Sequence, residues 1–72
     1  MPTHGQIRAA RALLGLRQVD LASKAGVAEV TIKSIEHGTG DPRLSTLTKI
    51  SVALEAAGIE FMVGGVRLKS SE

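Results

Sequence analysis

The stretch QVDLASKAGVAEVTIKSIE, which runs from Gln18 to Glu36, decides the fold of this chain. Its apolar residues recur at helical spacing on either side of a central glycine: Leu21, Ala22 and Ala25 before it, Ile32 and Ile35 after it. That glycine, Gly26, stands where the first helix must end, and glycine adopts the left-handed backbone of a sharp turn without a steric penalty. The stretch therefore predicts two short helices joined by a tight turn, with both apolar faces closing on one core.

Other glycines divide the rest of the chain in the same way. Gly15, Gly38 and Gly58 each follow a segment with apolar residues at helical spacing, and helices favour a glycine just after their last residue. The pattern predicts four helices, which cover Gly5–Leu14, Gln18–Ala25, Glu29–His37 and Leu44–Ala57.

After Gly58 the spacing of apolar residues changes from helical to alternating. Apolar residues now stand at every second position on either side of Gly64 and Gly65: Ile59, Phe61, Val63, Val66 and Leu68. A two-residue Gly-Gly turn suits the positive φ angles of tight hairpins. The segment predicts a β-hairpin with Val63 opposite Val66, Phe61 opposite Leu68, Met62 opposite Arg67, and Glu60 opposite Lys69.

Length and composition narrow the class of protein. The 72 residues allow one small domain, which we divide into the helices of residues 1–58 and a hairpin tail of residues 59–72. Because the chain has no cysteine and its two histidines, His4 and His37, lie far apart in sequence, we expect neither a metal nor a cofactor. No apolar run approaches the about 20 residues of a membrane span. The N-terminus MPTHGQIR lacks a hydrophobic signal core, so we expect a cytoplasmic protein with no membrane contact.

Charge and aromatic content bear on the kind of nucleic acid that the chain could bind. The formal net charge of +2 permits nucleic-acid binding but does not by itself indicate it. Single-strand-binding proteins stack unpaired bases on aromatic side chains. Phe61 is the only aromatic residue of this chain, which therefore has almost no side chains that could do so. Duplex DNA is therefore the better target.

Taken together, the residues resemble the Cro/cI-type (XRE-like) helix-turn-helix DNA-binding proteins of phages and bacteria. The resemblance runs from about Ile7 to Leu54. Its carriers are IRAARALLGL at Ile7–Leu16, Gln18 with DLA at Asp20–Ala22, AGV at Ala25–Val27, TIKSIEHG at Thr31–Gly38, and the series Pro42, Leu44, Leu47, Ile50 and Leu54. It implies an all-α, lambda-repressor-like fold of four helices, here followed by the short C-terminal β-hairpin. It also implies that the third helix lies in the major groove of duplex DNA while the second crosses the backbone.

The resemblance assigns base contacts to the exposed face of the third helix, which carries Glu29, Val30, Lys33 and Ser34. Glu29 can accept a hydrogen bond from cytosine N4, and Val30 can contact a thymine methyl group. Ser34 can serve either kind of base edge, and Lys33 can reach guanine or a phosphate. These residue types can therefore specify a sequence.

Further residues are expected to position the protein on DNA. Gln18 matches the family's glutamine at the start of the second helix, where its amide and the neighbouring N–H groups meet a phosphate. Arg17 and Arg43 are expected as cations on the same face. Arg11 and Glu36 match a pair that links the first helix to the end of the third, a structural ion pair that orients the reading helix.

Two departures from the family pattern concern the helix starts. Members usually begin the second and third helices with Ser or Thr, whose hydroxyl caps the first N–H groups, but this chain has Arg17 and Ala28 there. The third helix also carries Glu29 and Glu36 against Lys33, so it is not basic. We therefore expect modest affinity or high specificity.

The sequence as a whole predicts a homodimeric transcriptional repressor that occupies a pseudo-palindromic duplex-DNA operator. The residues predicted to form the dimer interface are those of the hairpin's apolar face: Ile59, Phe61, Val63, Val66 and Leu68. An antitoxin-like regulator that also binds a toxin protein is one alternative, and a protein-interaction module on the same fold is another. An enzyme is not expected, because the chain has no Ser-His-Asp, paired-carboxylate or glycine-rich phosphate motif.

Overall fold

The structure, a computed structural model, describes residues 2–69. These residues form four helices and an antiparallel hairpin: α1 (His4–Leu14), α2 (Gln18–Ala25), α3 (Glu29–His37), α4 (Leu44–Ala56), β1 (Ile59–Met62) and β2 (Gly65–Leu68). The predicted fold class is confirmed. The predicted bounds of α2 and α3 agree with the observed ones, whereas α1 begins one residue earlier and α4 ends one residue earlier than predicted.

The turn between α2 and α3 depends on Gly26. This residue has a φ of 70°, and its N–H donates to the carbonyl of Ser23 at 3.3 Å, while Val27 N–H donates to Ala22 O at 3.0 Å. These two bonds satisfy carbonyls at the end of α2 that the helix itself leaves without donors. A residue with a Cβ would be strained at this φ, so glycine fixes the angle between the two helices.

All four helices and the hairpin share a single core. Helix α2 packs against α3 and α4, α1 packs against α3 and β2, and β1 packs against α4. The core's fully buried large side chains come from five of these elements: Ile7, Leu21, Ile32, Ile50, Leu54 and Ile59. Burial of each such side chain contributes about 1.5–3 kcal/mol. Since Ile59 belongs to this set, the boundary that the sequence places after Gly58 does not separate two cores.

The hairpin register differs from the predicted one. Ile59 pairs with Leu68, Glu60 with Arg67, Phe61 with Val66, and Met62 with Gly65, so Val63 and Gly64 form the turn. The predicted turn at Gly64-Gly65 is therefore wrong, as is the predicted pairing of Glu60 with Lys69; an ion pair joins Glu60 to Arg67 instead. The difference is two residues, which leaves the same side chains on the same face.

Long-range hydrogen bonds explain the observed register. The Gln6 amide, on α1, donates from Nε2 to the carbonyls of Met62 at 2.6 Å and Gly65 at 3.0 Å, and so fixes both residues that flank the turn. At the open end, Lys69 N–H donates to Gly58 O at 2.7 Å. Of the two turn residues, Gly64 has a positive φ, 77°, and Val63 does not, so a single glycine suffices for this turn.

The structure also corrects one predicted dimer contact. Ile59 is fully buried in the core of its own chain, so its side chain has no surface to offer a second copy. Phe61 and Val66 are partly buried and pack against the same core. Val63 and Leu68 are exposed, since Val63 lies in the turn and Leu68 near the open end of the hairpin.

Candidate DNA-binding surface

Helix α3 has one face in the core and one in solvent. Ile32 and Ile35 are buried against the other helices. The solvent face carries the four side chains that the sequence predicts as readers: Glu29, Val30, Lys33 and Ser34. Val30 is 69% exposed, so no neighbour covers its apolar side chain. The face is therefore accessible along its length and mixes acidic, basic, hydroxyl and apolar groups.

A buried carboxylate fixes the position of α3 relative to α1. Glu36, on the last turn of α3, is 3% exposed, and Arg11 contacts both of its oxygens. The distances are 2.7 Å from Arg11 Nε to Glu36 Oε2 and 2.8 Å from Arg11 Nη2 to Glu36 Oε1. A bidentate contact of this kind fixes the orientation of the two side chains as well as the distance between them.

Further hydrogen bonds connect Glu36 and Arg11 to neighbouring elements. Gln18 Nε2, at the start of α2, donates to Glu36 Oε1 at 3.1 Å. Arg11 also donates to Leu16 O at 2.9 Å, in the segment between α1 and α2. Arg8 donates to the backbone carbonyl of Glu36 at 2.9 Å, one of the carbonyls at the end of α3 that the helix leaves without donors. The end of α3 is therefore held by α1 and α2 together.

The Glu36 carboxyl is ionised in this network. Burial alone would raise its pKa, but the hydrogen bonds from Arg11 and Gln18 and the positive charges of Arg11 and Arg8 hold the pKa below the ordinary value for glutamate. The charge that the sequence places on α3 at this position is therefore neutralised inside the protein and does not face the solvent side of the helix.

Two of the predicted DNA-contacting cations are paired with carboxylates. Arg17, the residue before α2, donates to Asp20 from Nε at 3.1 Å and from Nη2 at 3.0 Å, and its backbone N–H donates to the same carboxylate at 2.8 Å. These bonds hold the pKa of Asp20 below its usual range. Lys33 Nζ lies 3.7 Å from Glu29 Oε2, one helical turn away. Both pairs are largely exposed to solvent.

Arg43 stands at the other end of this surface, as the residue before α4. It is exposed, and its side chain forms no ion pair with any residue between 2 and 69. Between α3 and the loop that leads to Arg43 is an open groove of about 250 Å³, lined by Val30, Thr31, Ser34, Ile35, Thr39, Gly40, Asp41 and Pro42. The groove continues the exposed face of α3 toward the loop.

Comparison with known families agrees with this arrangement. The sequence model of a family described as helix-turn-helix matches residues 7–59, which include Arg11, Gln18, all of α3 and Arg43. The chain belongs to the helix-turn-helix family, in its XRE-like, Cro-like branch. It is accordingly a DNA-binding transcriptional regulator. No curated protein matches the chain.

The helix-turn-helix family consists of DNA-binding regulatory domains and not of enzymes. Helices α2 and α3 correspond to the two helices that give the family its name. The match ends at Ile59, so most of the hairpin lies outside it. None of the helices between residues 2 and 69 combines the length and the apolar character of a membrane span.

The sequence reasoning missed two parts of this helix-turn-helix surface. It assigned Gln18 to a phosphate without its bond to Glu36, which joins residues 18 apart and has no local signal. It assigned Arg17 to DNA without its partner Asp20, although the i,i+3 spacing was visible. It set the charge of Glu29 against that of Lys33 but did not predict their ion pair. The missing caps are observed: neither Arg17 nor Ala28 accepts a side-chain cap bond, and Asp20 covers the N–H of Arg17 instead.

Proposed function

We propose that the chain is a dimeric repressor that reads the major groove of duplex DNA with α3 and excludes polymerase from a promoter. The observation that supports this most directly is the exposed face of α3, held against α1 and α2 by the Arg11–Glu36–Gln18 network. A helix whose own position is fixed can present side chains to base edges at constant geometry, which sequence reading requires.

In this proposal the four exposed residues of α3 divide the reading. Glu29 accepts a hydrogen bond from cytosine N4, and Val30 contacts a thymine methyl group. Ser34 serves a neighbouring base edge, and Lys33 reaches guanine or a phosphate. The exposure of Val30 supports its role, because an apolar contact with a methyl group needs a side chain that no neighbour covers.

Backbone contacts position the reading helix. Gln18 uses one amide N–H for Glu36, and its other amide hydrogen stays available to a phosphate at the start of α2. Arg17 and Arg43 contribute charge on either side of α3. These contacts carry no sequence information, so they set affinity and its dependence on salt.

Dimerisation through the hairpin completes the proposal. Each strand of a two-stranded sheet has an unpaired edge that can pair with a second copy, and Val63 and Leu68 add exposed apolar surface beside it. A two-fold dimer places two copies of α3 on one side, as a pseudo-palindromic operator requires.

Because Ile59 belongs to the core, truncation of the hairpin would unfold the domain. The suitable test is Val63→Ser with Leu68→Ser, whose loss of dimer in sedimentation supports the proposal and whose unchanged dimer contradicts it.

An antitoxin-like regulator is a second candidate. Large apolar side chains away from α3 are exposed, among them Leu44 and Val52 on α4, and could hold a protein partner while α3 binds DNA. A toxin that co-purifies with the chain would support this function. A protein-interaction module without DNA binding is the third candidate, which the acidic Glu29 favours and a steep salt dependence of DNA binding would contradict.

Selection from a random duplex library with the purified chain, followed by titration at several salt concentrations, tests the proposal. Each phosphate contact contributes a slope of about −0.9 in a plot of log affinity against log salt. We expect duplex-specific binding that weakens steeply with salt, and Arg43→Ala should reduce the slope by about 0.9 per subunit. Affinity that stays flat between low and physiological salt would contradict this mode of DNA binding.

A further inference from the structure

The DNA-binding surface combines cations with acidic competitors. Of the three basic side chains proposed to contact DNA, Arg17 is engaged by Asp20 and Lys33 by Glu29, which leaves Arg43 as the one without a carboxylate partner among residues 2–69. The family role of this surface calls for cations that meet phosphate, and an adjacent carboxylate repels phosphate. These two acids therefore oppose nonspecific DNA binding.

The contact between Arg17 and Asp20 is the more complete of the two. Asp20 accepts from two side-chain nitrogens of Arg17, Nε at 3.1 Å and Nη2 at 3.0 Å, in the parallel arrangement that a phosphate could otherwise occupy. The negative charge of Glu29 acts on Arg17 as well, although less strongly than that of Asp20. A phosphate that binds at the Nη1 group, which Asp20 does not engage, meets the negative charge of Asp20 on the same guanidinium, and one that binds at Nε must displace Asp20.

The second pair concerns a reader itself. Lys33 Nζ lies 3.7 Å from Glu29 Oε2, so the two side chains neutralise each other on the groove-facing side of α3. If cytosine N4 donates to Glu29, the carboxylate gains a partner that carries no full charge, and Lys33 is free to reach guanine or a phosphate. On guanine or thymine, which present no hydrogen-bond donor in the major groove, the carboxylate keeps Lys33.

We propose that Asp20 and Glu29 act as intramolecular competitors of DNA, which hold Arg17 and Lys33 in ion pairs and so weaken binding to duplex DNA; Glu29 penalises least the sequence whose cytosine takes the place of Lys33 as its partner. The inference rests on the proposed function, since it describes how the same surface discriminates between sequences. Exposed ion pairs are weak, worth about 0.2–1 kcal/mol, so DNA can break them, and every complex that breaks one loses that amount of binding free energy.

Asp20→Asn is the sharpest test, because asparagine keeps a side-chain oxygen that can accept from Arg17 N–H and loses only the charge. We expect affinity for a nonoperator duplex to rise by between about 1.5-fold and fivefold per subunit. The salt slope should steepen by up to about 0.9 per subunit, since Arg17 becomes free to neutralise a phosphate. Affinity for the selected operator should rise by at least the same factor, because every complex that uses Arg17 gains the energy that breaking its pair with Asp20 costs.

Glu60→Gln is the matched control. It removes the same charge and also breaks an exposed ion pair, with Arg67, but on the hairpin, which packs against α1 and α4. Any general effect of a more positive protein appears equally in both variants, so only the excess in Asp20→Asn belongs to the proposal. Thermal unfolding and sedimentation of both variants check that neither change acts through the stability of the fold or through the hairpin dimer.

The outcomes distinguish failure of the proposed DNA binding from failure of the proposed role of Asp20 and Glu29. If the wild-type chain shows no salt-dependent binding to duplex DNA, the proposed function fails. If the wild type binds in that way and Asp20→Asn matches Glu60→Gln in nonspecific affinity and in salt slope, the inference is overturned and the function stands. Glu29→Gln provides the second reading: nonspecific binding should tighten, and an unchanged or weaker nonspecific affinity would remove Glu29 from the proposal.

Discussion

Replacement of Arg11 by methionine should cost this domain a large part of its stability. Glu36 is 3% exposed and Arg11 only 20% exposed, so methionine leaves a buried carboxylate with Gln18 as its one remaining side-chain donor. Removal of one partner of a buried ion pair costs about 3–5 kcal/mol. The free energy of unfolding of a chain of this length is about 4–11 kcal/mol in total. At about 4–8 °C per kcal/mol, the unfolding midpoint should fall by at least about 12 °C.

The stability deficit of Arg11→Met should depend on pH in a definite direction. In the wild type the pKa of Glu36 lies below its ordinary value of about 4.3, so its ion pair contributes fully above that pH and is lost as the pH falls through the native pKa. In Arg11→Met burial acts without the cation and raises the pKa of Glu36. The deficit of the variant should therefore be greatest near pH 7 and should shrink as acid protonates the carboxyl.

Denaturant titration from pH 7 to pH 4 measures this deficit. The double variant Arg11→Met with Glu36→Gln should recover part of the loss, because glutamine buries no charge and can still accept from Gln18. Arg67→Met, which breaks the exposed pair with Glu60, should change stability by less than about 1 kcal/mol. An Arg11→Met protein as stable as Arg67→Met at pH 7, or a deficit that grows in acid, would refute the reasoning.

Three further predictions concern a helix start, a reader and the hairpin. Ala28→Ser should stabilise α3 by about 1 kcal/mol, because its hydroxyl can accept from the N–H of Val30 or Thr31, whereas Ala9→Ser on the exposed side of α1 should not stabilise; equal unfolding midpoints would contradict the missing cap. Glu29→Gln should move the selected consensus from cytosine toward adenine at one position in each half-site, by about 1–3 kcal/mol, and an unchanged consensus would show that Glu29 reads no base. Ile59→Ala should destabilise the whole domain by about 2–5 kcal/mol in one cooperative transition, and a separate early transition of the hairpin would contradict its place in the shared core.

The sequence predicted the helices of this fold because their signals are local. Helical spacing and the glycines at 15, 26 and 38 are read within a few residues, and the bounds of α2 and α3 follow from them. The exposed face of α3 follows from the same spacing, once Ile32 and Ile35 are placed in the core. What the residues of that face contact on DNA comes from the family resemblance and stays a prediction.

The hairpin register and the polar network could not be predicted in the same way. The local rules for tight hairpin turns favour Gly64-Gly65, because they need a positive φ at the first turn residue. The observed turn at Val63-Gly64 depends on hydrogen bonds from Gln6, more than 50 residues away. The bond from Gln18 to Glu36 likewise requires the packed arrangement of α2 and α3. The pairs of Arg17 and Lys33 had a visible local spacing, but the resemblance directed attention to DNA.

The Gln6 side chain has a consequence for how the protein is made. Its Oε1 accepts from Thr3 N–H at 2.8 Å at the start of α1, while its Nε2 holds both sides of the hairpin turn. During synthesis α1 leaves the ribosome first, yet its amide has no hairpin to bind and the core lacks Ile59 until the last elements have emerged. The growing chain should thus stay open and sensitive to protease until translation has passed β2, and then close in a single step.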